Sequence, residues 1–340
     1  LVVGDSMQGS LRDLVLRSLA RIDTLIVAEH PFRNELVEQV ESSLQKSVAR
    51  GVAPLLLTGG AATAGSGDAT RRAAGLSIIG CDRHFWELGA DGDAPREPPV
   101  TTGVALTANV AADLGVAVGD AVVLRVPLVA AVPADSTLGE REDAVAIARL
   151  ELETILPDSR PLATFSLSPN QRLPRNVFVP LAKLQTLLEL EGRLNAIALG
   201  GRQAATTLPD EVRQQLIDSW TPALADYGIT AVALPDRPGV VQVEADRLVL
   251  PPHVVETANE VFGAGQVQEV IAYLANSLAK GEQSIPYSIV AAVDQQATHA
   301  PLLDVDGQPV RLQKHEIALN DWAAERLGAS VGDEIRLRYY

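Results

Sequence analysis

The chain has 340 residues, a length suited to two or three domains. Apolar residues make up 47% and aromatics only 4%, so its cores must be built from Ala, Val, Leu and Ile. Lys plus Arg number 28 against 43 Asp plus Glu, and a net charge of −15 with no basic cluster excludes a grip on nucleic-acid phosphates.

In chain order, residues 6–22 place Leu11, Leu14, Val15, Leu19 and Ile22 at helical spacing. "DTLIVAE" reads as a short strand. "PFRNELVEQVESSLQKSVAR", opening on Pro31, reads as a second amphipathic helix. "VAPLLLT" and "AGLSIIGCD" are strand candidates, and the Gly-rich "GGAATAGSGDATRRA" between them is expected to be loop. Past residue 130 the chain turns polar at "VPADSTLGERED", and "AVAIARLELETIL" then alternates like a strand. "FSLSPNQRLPRNVFVP" reads as loop, "LAKLQTLLELEG" as a short helix and "RLNAIALGG" as a strand. A long helix is expected over 209–228, with Pro209 near its start and Gly228 past its end. "VVQVEADRLVLPPH" reads as a hairpin around "EAD", and "PPHVVETANEVFGAG" as a helix. Two strands separated by "KGEQ" follow.

One element occurs twice. Ala105–Val126 aligns without a gap on Ala318–Tyr339, with 10 identities in 22 positions. Each copy predicts a short helix with Thr107 or Asn320 as N-cap, then Gly115 or Gly328 at a left-handed C′ position. A Val-Gly-Asp turn and an alternating strand come next. Upstream, each copy has a strand ending in Asp, at Asp82 and Asp294. Two related halves around a dissimilar segment predict a mixed α+β fold with two lobes. A base of two αβ halves, residues 1–130 and 251–340, is interrupted by an inserted αβ subdomain, residues 131–250.

No catalytic, cofactor or metal residues are assigned. Asp120 and Asp333 could form a carboxylate pair, but the pattern around each calls for turn chemistry. "TGGAATAGSG" lacks the Gly-Lys-Ser/Thr ending of a phosphate loop, and "FGAGQV" closes a helix instead of opening one. His30, His84, His253, His299 and His315 show no i, i+4 pair, and the single Cys81 completes no zinc pattern. Cys81 also rules out an intrachain disulfide, without fixing the compartment. Ser6, Ser10 and Ser166 lack a nucleophile-elbow context. Glu140, Glu142 and Asp143 read as a solvated face, and Phe165 and Trp220 as core residues before ligand contacts. No run approaches 18 apolar residues and no signal peptide is seen. Because the sequence opens with Leu1, it is expected to be an excised or processed piece.

Taken together, the motifs resemble MacB/FtsX-like ABC transporter permeases. "GDSMQGSLRDLVLRSLARIDTLI" resembles the segment that follows their first membrane helix. "LSIIGCDRHFWEL" is similar to their strand ending in a G-x-D-x-x-F/W turn, and "VALTANVAADLGVAVGDAVVLRV" to their helix–LG–VGD–strand element. "FSLSPNQRLPRNVFVPLAKLQTLLELEGRLNAIAL" and "YLANSLAKGEQSIPYSIVAAVD" resemble their insert and a late strand pair. The resemblance runs from Gly4 to Tyr340. It implies the extracytoplasmic (periplasmic) domain between membrane helices 1 and 2. Residues 1–130 and 251–340 would be the membrane-proximal, porter-like base, and 131–250 a projecting, sabre-like insert. It also implies a cytoplasmic ABC ATPase subunit as partner, a homodimeric permease in the bacterial inner membrane, and a periplasmic partner protein or lipoprotein. Cofactors and enzymatic activity are not implied. The helix Ser10–Ile22 would be a stalk, so Gly insertion there is expected to uncouple ATP hydrolysis from transport. The second reading is a free-standing extracytoplasmic binding protein with a cleft between base and insert.

Overall fold

The computed structural model describes residues 19–44, 49–89, 98–128, 145–160, 162–167, 173–201, 209–235, 237–246, 249–263, 265–294 and 301–339. The expected stalk helix lies mostly outside them. The fold is mixed α+β. The chain divides into two units, residues 1–130 with 141–243, and residues 131–140 with 244–340. Among the described residues, no helix is long and apolar enough to cross a membrane.

The first unit is organised by one sheet of β1 (Ile22–Arg33), β2 (Ala49–Ala64), β3 (Arg71–Cys81), β4 (Val104–Thr107), β5 (Ala121–Pro127), β6 (Val145–Leu156), β7 (Asn176–Pro180) and β8 (Arg193–Gly201). Their order is β1-β8-β2-β3-β7-β4-β6-β5, and β5 pairs again with β2. Six strands therefore close into a ring, which removes their open edges. Its interior is aliphatic and draws on every ring strand, including Leu56, Ile78, Leu106, Leu124, Leu152 and Val177. Helices α3 (Ala108–Leu114) and α4 (Leu181–Leu187) add Val110, Leu114 and Leu184 to that core. A second cluster gathers four of the aromatics, with Phe85 and Trp86 of α2 (Arg83–Glu87) against Phe178 and Phe165. A third joins β1 and β8 to α1 (Glu35–Ser43) and α5 (Asp210–Ser219).

The long strand β2 makes the closure possible. Its Ala49–Leu55 stretch pairs with β8, and Ala61–Ala64 pairs with β5 along the same edge. At the fork, Asn195 stands in for a strand: its Oδ1 accepts from Leu57 N and its Nδ2 donates to Leu57 O, both at 2.7 Å. Of the Gly-rich stretch expected as loop, residues 59–64 are thus the second half of β2 and 71–73 open β3, while 65–70 form the turn between them. A Cβ on Gly60 would lie 2.6 Å from both the Arg125 carbonyl oxygen and Ile78 Cδ1. Glycine serves close approach here, not flexibility.

Other expectations also change. Residues 145–201, expected within the insert, supply β6, β7 and β8 to the same sheet as β1–β5. β7 runs parallel to β3, Ser77 facing Asn176, and β6 closes the ring antiparallel to β5. A boundary at 130 therefore cuts one sheet, because Leu150, Leu152, Val177 and Val179 share a core with the first 130 residues. Residues 176–180 are strand, not loop. Pro31 lies in β1, not in a helix, and Phe32 pairs with Leu194. The helix over 209–228 stops at Ser219; a 3₁₀ turn, Leu224–Tyr227, follows Pro222, which cannot donate a backbone hydrogen bond. Gly228 ends that turn at φ 69°. β10 (Val241–Ala245) pairs with β9 (Ile229–Ala233), so the hairpin centres upstream of "EAD".

The second unit contains α6 (Pro252–Phe262), β11 (Val270–Lys280), β12 (Gln283–Val293), α7 (Asp321–Leu327) and β13 (Arg336–Arg338). Its sheet order is β12-β11-β13. The buried core is small: Leu278, Ile285, Ala323 and Leu327.

Candidate functional site

The feature that the sequence singled out twice is built twice. Gly115 follows α3 at φ 64°, and Gly328 follows α7 at φ 57°. In each copy the next N–H reaches back five residues, Val116 to Ala111 O and Ala329 to Ala324 O, closing a Schellman-type cap. Gly119 and Gly332 then turn at φ 95° and 97°. Asp120 accepts from Ala117 N at 2.8 Å, and Asp333 from Ser330 N at 2.7 Å. Both carboxylates are spent on holding the turn. Lys280 also donates to Asp333 at 2.6 Å and to the Gly328 carbonyl. The Lys280 contact and the Ser330 N–H hold the Asp333 carboxyl below its ordinary range.

The repeat reaches further than the aligned sequence. β2–β3 and β11–β12 are both antiparallel hairpins, Ala62 facing Ala73 in one and Leu278 facing Ile285 in the other. β5 then pairs with β2, and β13 with β11, in matching register: Leu124 opposite Ala62, Leu337 opposite Leu278. The interior residues correspond one to one, with Leu106, Val110, Leu114, Val122 and Leu124 matching Leu319, Ala323, Leu327, Ile335 and Leu337. The caps differ. Asn320 accepts from Ala323 N at 2.9 Å as expected. Thr107 makes no cap bond, because its hydroxyl bridges to β7 by accepting from Asn176 N.

Asp82, Cys81, Phe165 and Trp220 sit in structural roles. Asp82 caps α2 by accepting from His84 N at 2.9 Å, with its other oxygen 2.7 Å from His84 Nδ1. Cys81 is buried, and burial, with Asp82 adjacent, pushes its thiol pKa up. Phe165 is a core residue packed edge-on against Phe85 at 5.5 Å, and Trp220, half-buried, packs edge-on against the core residue Phe32 at 6.2 Å. Glu140, Glu142, Asp143, His299, Ser6 and Ser10 lie outside the described residues.

Two carboxylates missed by sequence reading are heavily bonded among the described residues of the first unit. Glu153 on β6 accepts from Thr101 N at 2.6 Å, Thr102 N at 3.0 Å, Gly103 N at 2.7 Å and the Thr102 hydroxyl at 2.7 Å. Burial alone would raise its pKa, but these bonds outweigh it and bring it down to about 2. Asp226 accepts from Ala223 N and Arg33 N and pairs with Arg33 Nε at 3.1 Å. Burial raises its pKa, and these partners more than reverse that. Both clasp backbone segments.

An open groove of about 500 Å³ is lined by Leu57, Ser77, Ile79, Phe165 and Arg175, among others. Arg175, its charged lining residue among the described residues, pairs with Asp113 at 2.8 Å. Among the described residues, no group of three His, Cys, Asp or Glu could hold a metal ion.

No protein-family model matches the chain, and no curated protein matches it. Solved structures are similar to parts of it, among them the following two. One is the periplasmic region of MacB from Actinobacillus actinomycetemcomitans, at 10% identity and TM-score 0.36 over 72% of this chain and 97% of that one. Another is the extracellular domain of the noncanonic ABC-type transporter YknZ from Gram-positive bacteria, at 10% identity and TM-score 0.30 over 56% and 86%.

Proposed function

We propose that this chain is the extracytoplasmic domain of a MacB/FtsX-like ABC transporter permease and acts mechanically, not enzymatically. It would relay ATP-driven motion from a cytoplasmic ATPase to the export or extraction of a lipid, lipoprotein or peptide. The observation that carries this reading is that the motifs behind the resemblance are formed as rigid corners. "GCDRHFWEL" is a strand end, a capped turn and an aromatic anchor; "LGVAVGD" is a sealed cap and turn. Five acidic groups, Asp82, Asp120, Glu153, Asp226 and Asp333, hold backbone. Such corners suit an element that transmits displacement.

In this reading the permease is a homodimer in the inner membrane, with the chain on the periplasmic side and a periplasmic partner protein or lipoprotein docking on it. The test is to express the complete gene product with its neighbouring genes, fractionate the cells and purify it in detergent. Membrane fractionation and co-purification of an ABC ATPase are expected. A product recovered in the soluble periplasmic fraction, without ATPase, would point to the free-standing binding protein and sink the reading.

A further inference from the structure

The first corner spends on β7 a side chain that the second corner spends on its own helix. Thr107 and Asn320 stand at the same place, one residue before α3 and α7, and their backbones agree: φ −68° and ψ 152° against φ −73° and ψ 163°. Asn320 accepts from Ala323 N at 2.9 Å. The equivalent donor of the first corner, Val110 N, goes instead to Asn109 Oδ1 at 2.8 Å. Thr107 is buried; its hydroxyl donates to that same Asn109 oxygen at 2.6 Å and accepts from Asn176 N at 3.2 Å. Because its backbone already has the capping conformation, rotation about χ1 alone brings the Thr107 oxygen to Val110 N.

Thr107 is one of three side-chain ties between this corner and the start of β7. Asn109 Nδ2 donates to Pro174 O at 3.0 Å, and Asp113 pairs with Arg175 at 2.8 Å. The backbone adds little at this seam. β4 and β7 share two facing pairs, Ala105 with Phe178 and Leu106 with Val177, whereas β7 faces β3 over Ser77–Cys81. Residues 174–176 are held from that other side too, where Ser77 N donates to Arg175 O at 2.9 Å. Releasing the three ties therefore leaves 174–176 on β3 and frees the corner. Part of the cost is offset within the corner, since the N–H that Asn109 gives up is the one that Thr107 takes.

We propose that Thr107 is a two-position latch. In one position it bridges the corner to β7; in the other it caps α3, as Asn320 caps α7, and the corner parts from residues 174–176. The device rests on the geometry of the two corners and not on the permease reading.

The test is single-residue hydrogen exchange, read by NMR on the whole 340-residue chain in rising, sub-denaturing urea. The Asn176 amide should exchange at least ~10-fold faster than the Leu56 amide of central β2, with almost no dependence on urea, the mark of a local opening. Thr107→Asn places in the first corner the capping residue of the second and shifts the latch toward the capped position. Exchange at Asn176 should rise ~5-fold and exchange at Val110 should fall, with Leu56 unchanged. A hydroxyl that only braces the fold would move all three rates in one direction. If Thr107→Asn does not fold, Thr107→Ser replaces it, keeping the hydroxyl with a freer χ1 and calling for the same opposed changes. An Asn176 amide that follows Leu56 at every urea concentration in the parent chain overturns the proposal without any variant. So does a folded variant in which Asn176 and Val110 change in the same direction.

Discussion

Replacing Glu153 by Gln keeps the size of the side chain and removes its charge. The amide retains one acceptor but turns an NH₂ toward N–H donors of Thr101–Gly103, so some of the four bonds are lost. In the folded chain the carboxyl is depressed from its ordinary 4.5 to about 2. At about 1.4 kcal/mol per pKa unit this corresponds to about 3 kcal/mol, and solvent screening of a half-buried group reduces it to about 1–2 kcal/mol. Because the folded pKa is the lower one, the stabilisation is complete above pH 4.5 and is lost as pH falls through 2. Urea unfolding followed by tryptophan fluorescence should find Glu153→Gln about 1–2 kcal/mol less stable at pH 7. That gap should close between pH 4.5 and 2, as the parent chain gives up what the variant never had. Comparing the two proteins cancels the titration of Asp226, whose pKa is also lowered. A gap that stays constant with pH, or none at pH 7, refutes the clasp as an electrostatic device.

Gly60→Val should lower the melting temperature by an amount equivalent to about 1–3 kcal/mol, because its Cβ has no room beside the Arg125 carbonyl and Ile78; differential scanning calorimetry would read it, and an unchanged transition would contradict β2–β5 closure. Asn195→Leu should cost about 1–3 kcal/mol by stranding both polar groups of Leu57, and hydrogen exchange at the Leu57 amide should accelerate. Gly328→Ala and Gly115→Ala should each destabilise by about 1 kcal/mol through their left-handed backbones, because the Arg71 guanidinium near a Cβ at 115 is the exposed end of a flexible side chain and can move aside; an unchanged midpoint in denaturant titrations of either variant would count against the cap.

The repeated corner was legible in the sequence because its determinants are local. A glycine past a short helix, a second glycine four residues on and an aspartate beside it define a cap and a turn within seven residues. The same holds for α4, β6 and β8, where periodicity alone locates the element. Glycine content misled at β2, because glycine signals a loop and a tight strand crossing equally well until the neighbours are known. Glu153 and Asn195 were invisible for a related reason. Their partners lie 50 to 52 and 138 residues away, at positions that only strand register brings together.

By itself, the sequence established an acidic, aromatic-poor α+β chain with one motif written twice and its carboxylates placed for turns. Tertiary structure alone decided what each copy becomes. In the first unit, β6 and β7 come from residues beyond the expected boundary and bury Leu150, Leu152, Val177 and Val179 against the corner, so the sheet closes. In the second, no described strand does this, and Ile317 and Tyr339 stay open to solvent. Closure depends on pairing between strands far apart in the chain, which local patterns do not encode. Related corners therefore end in a closed ring in one place and, among the described residues, in a three-stranded sheet in the other.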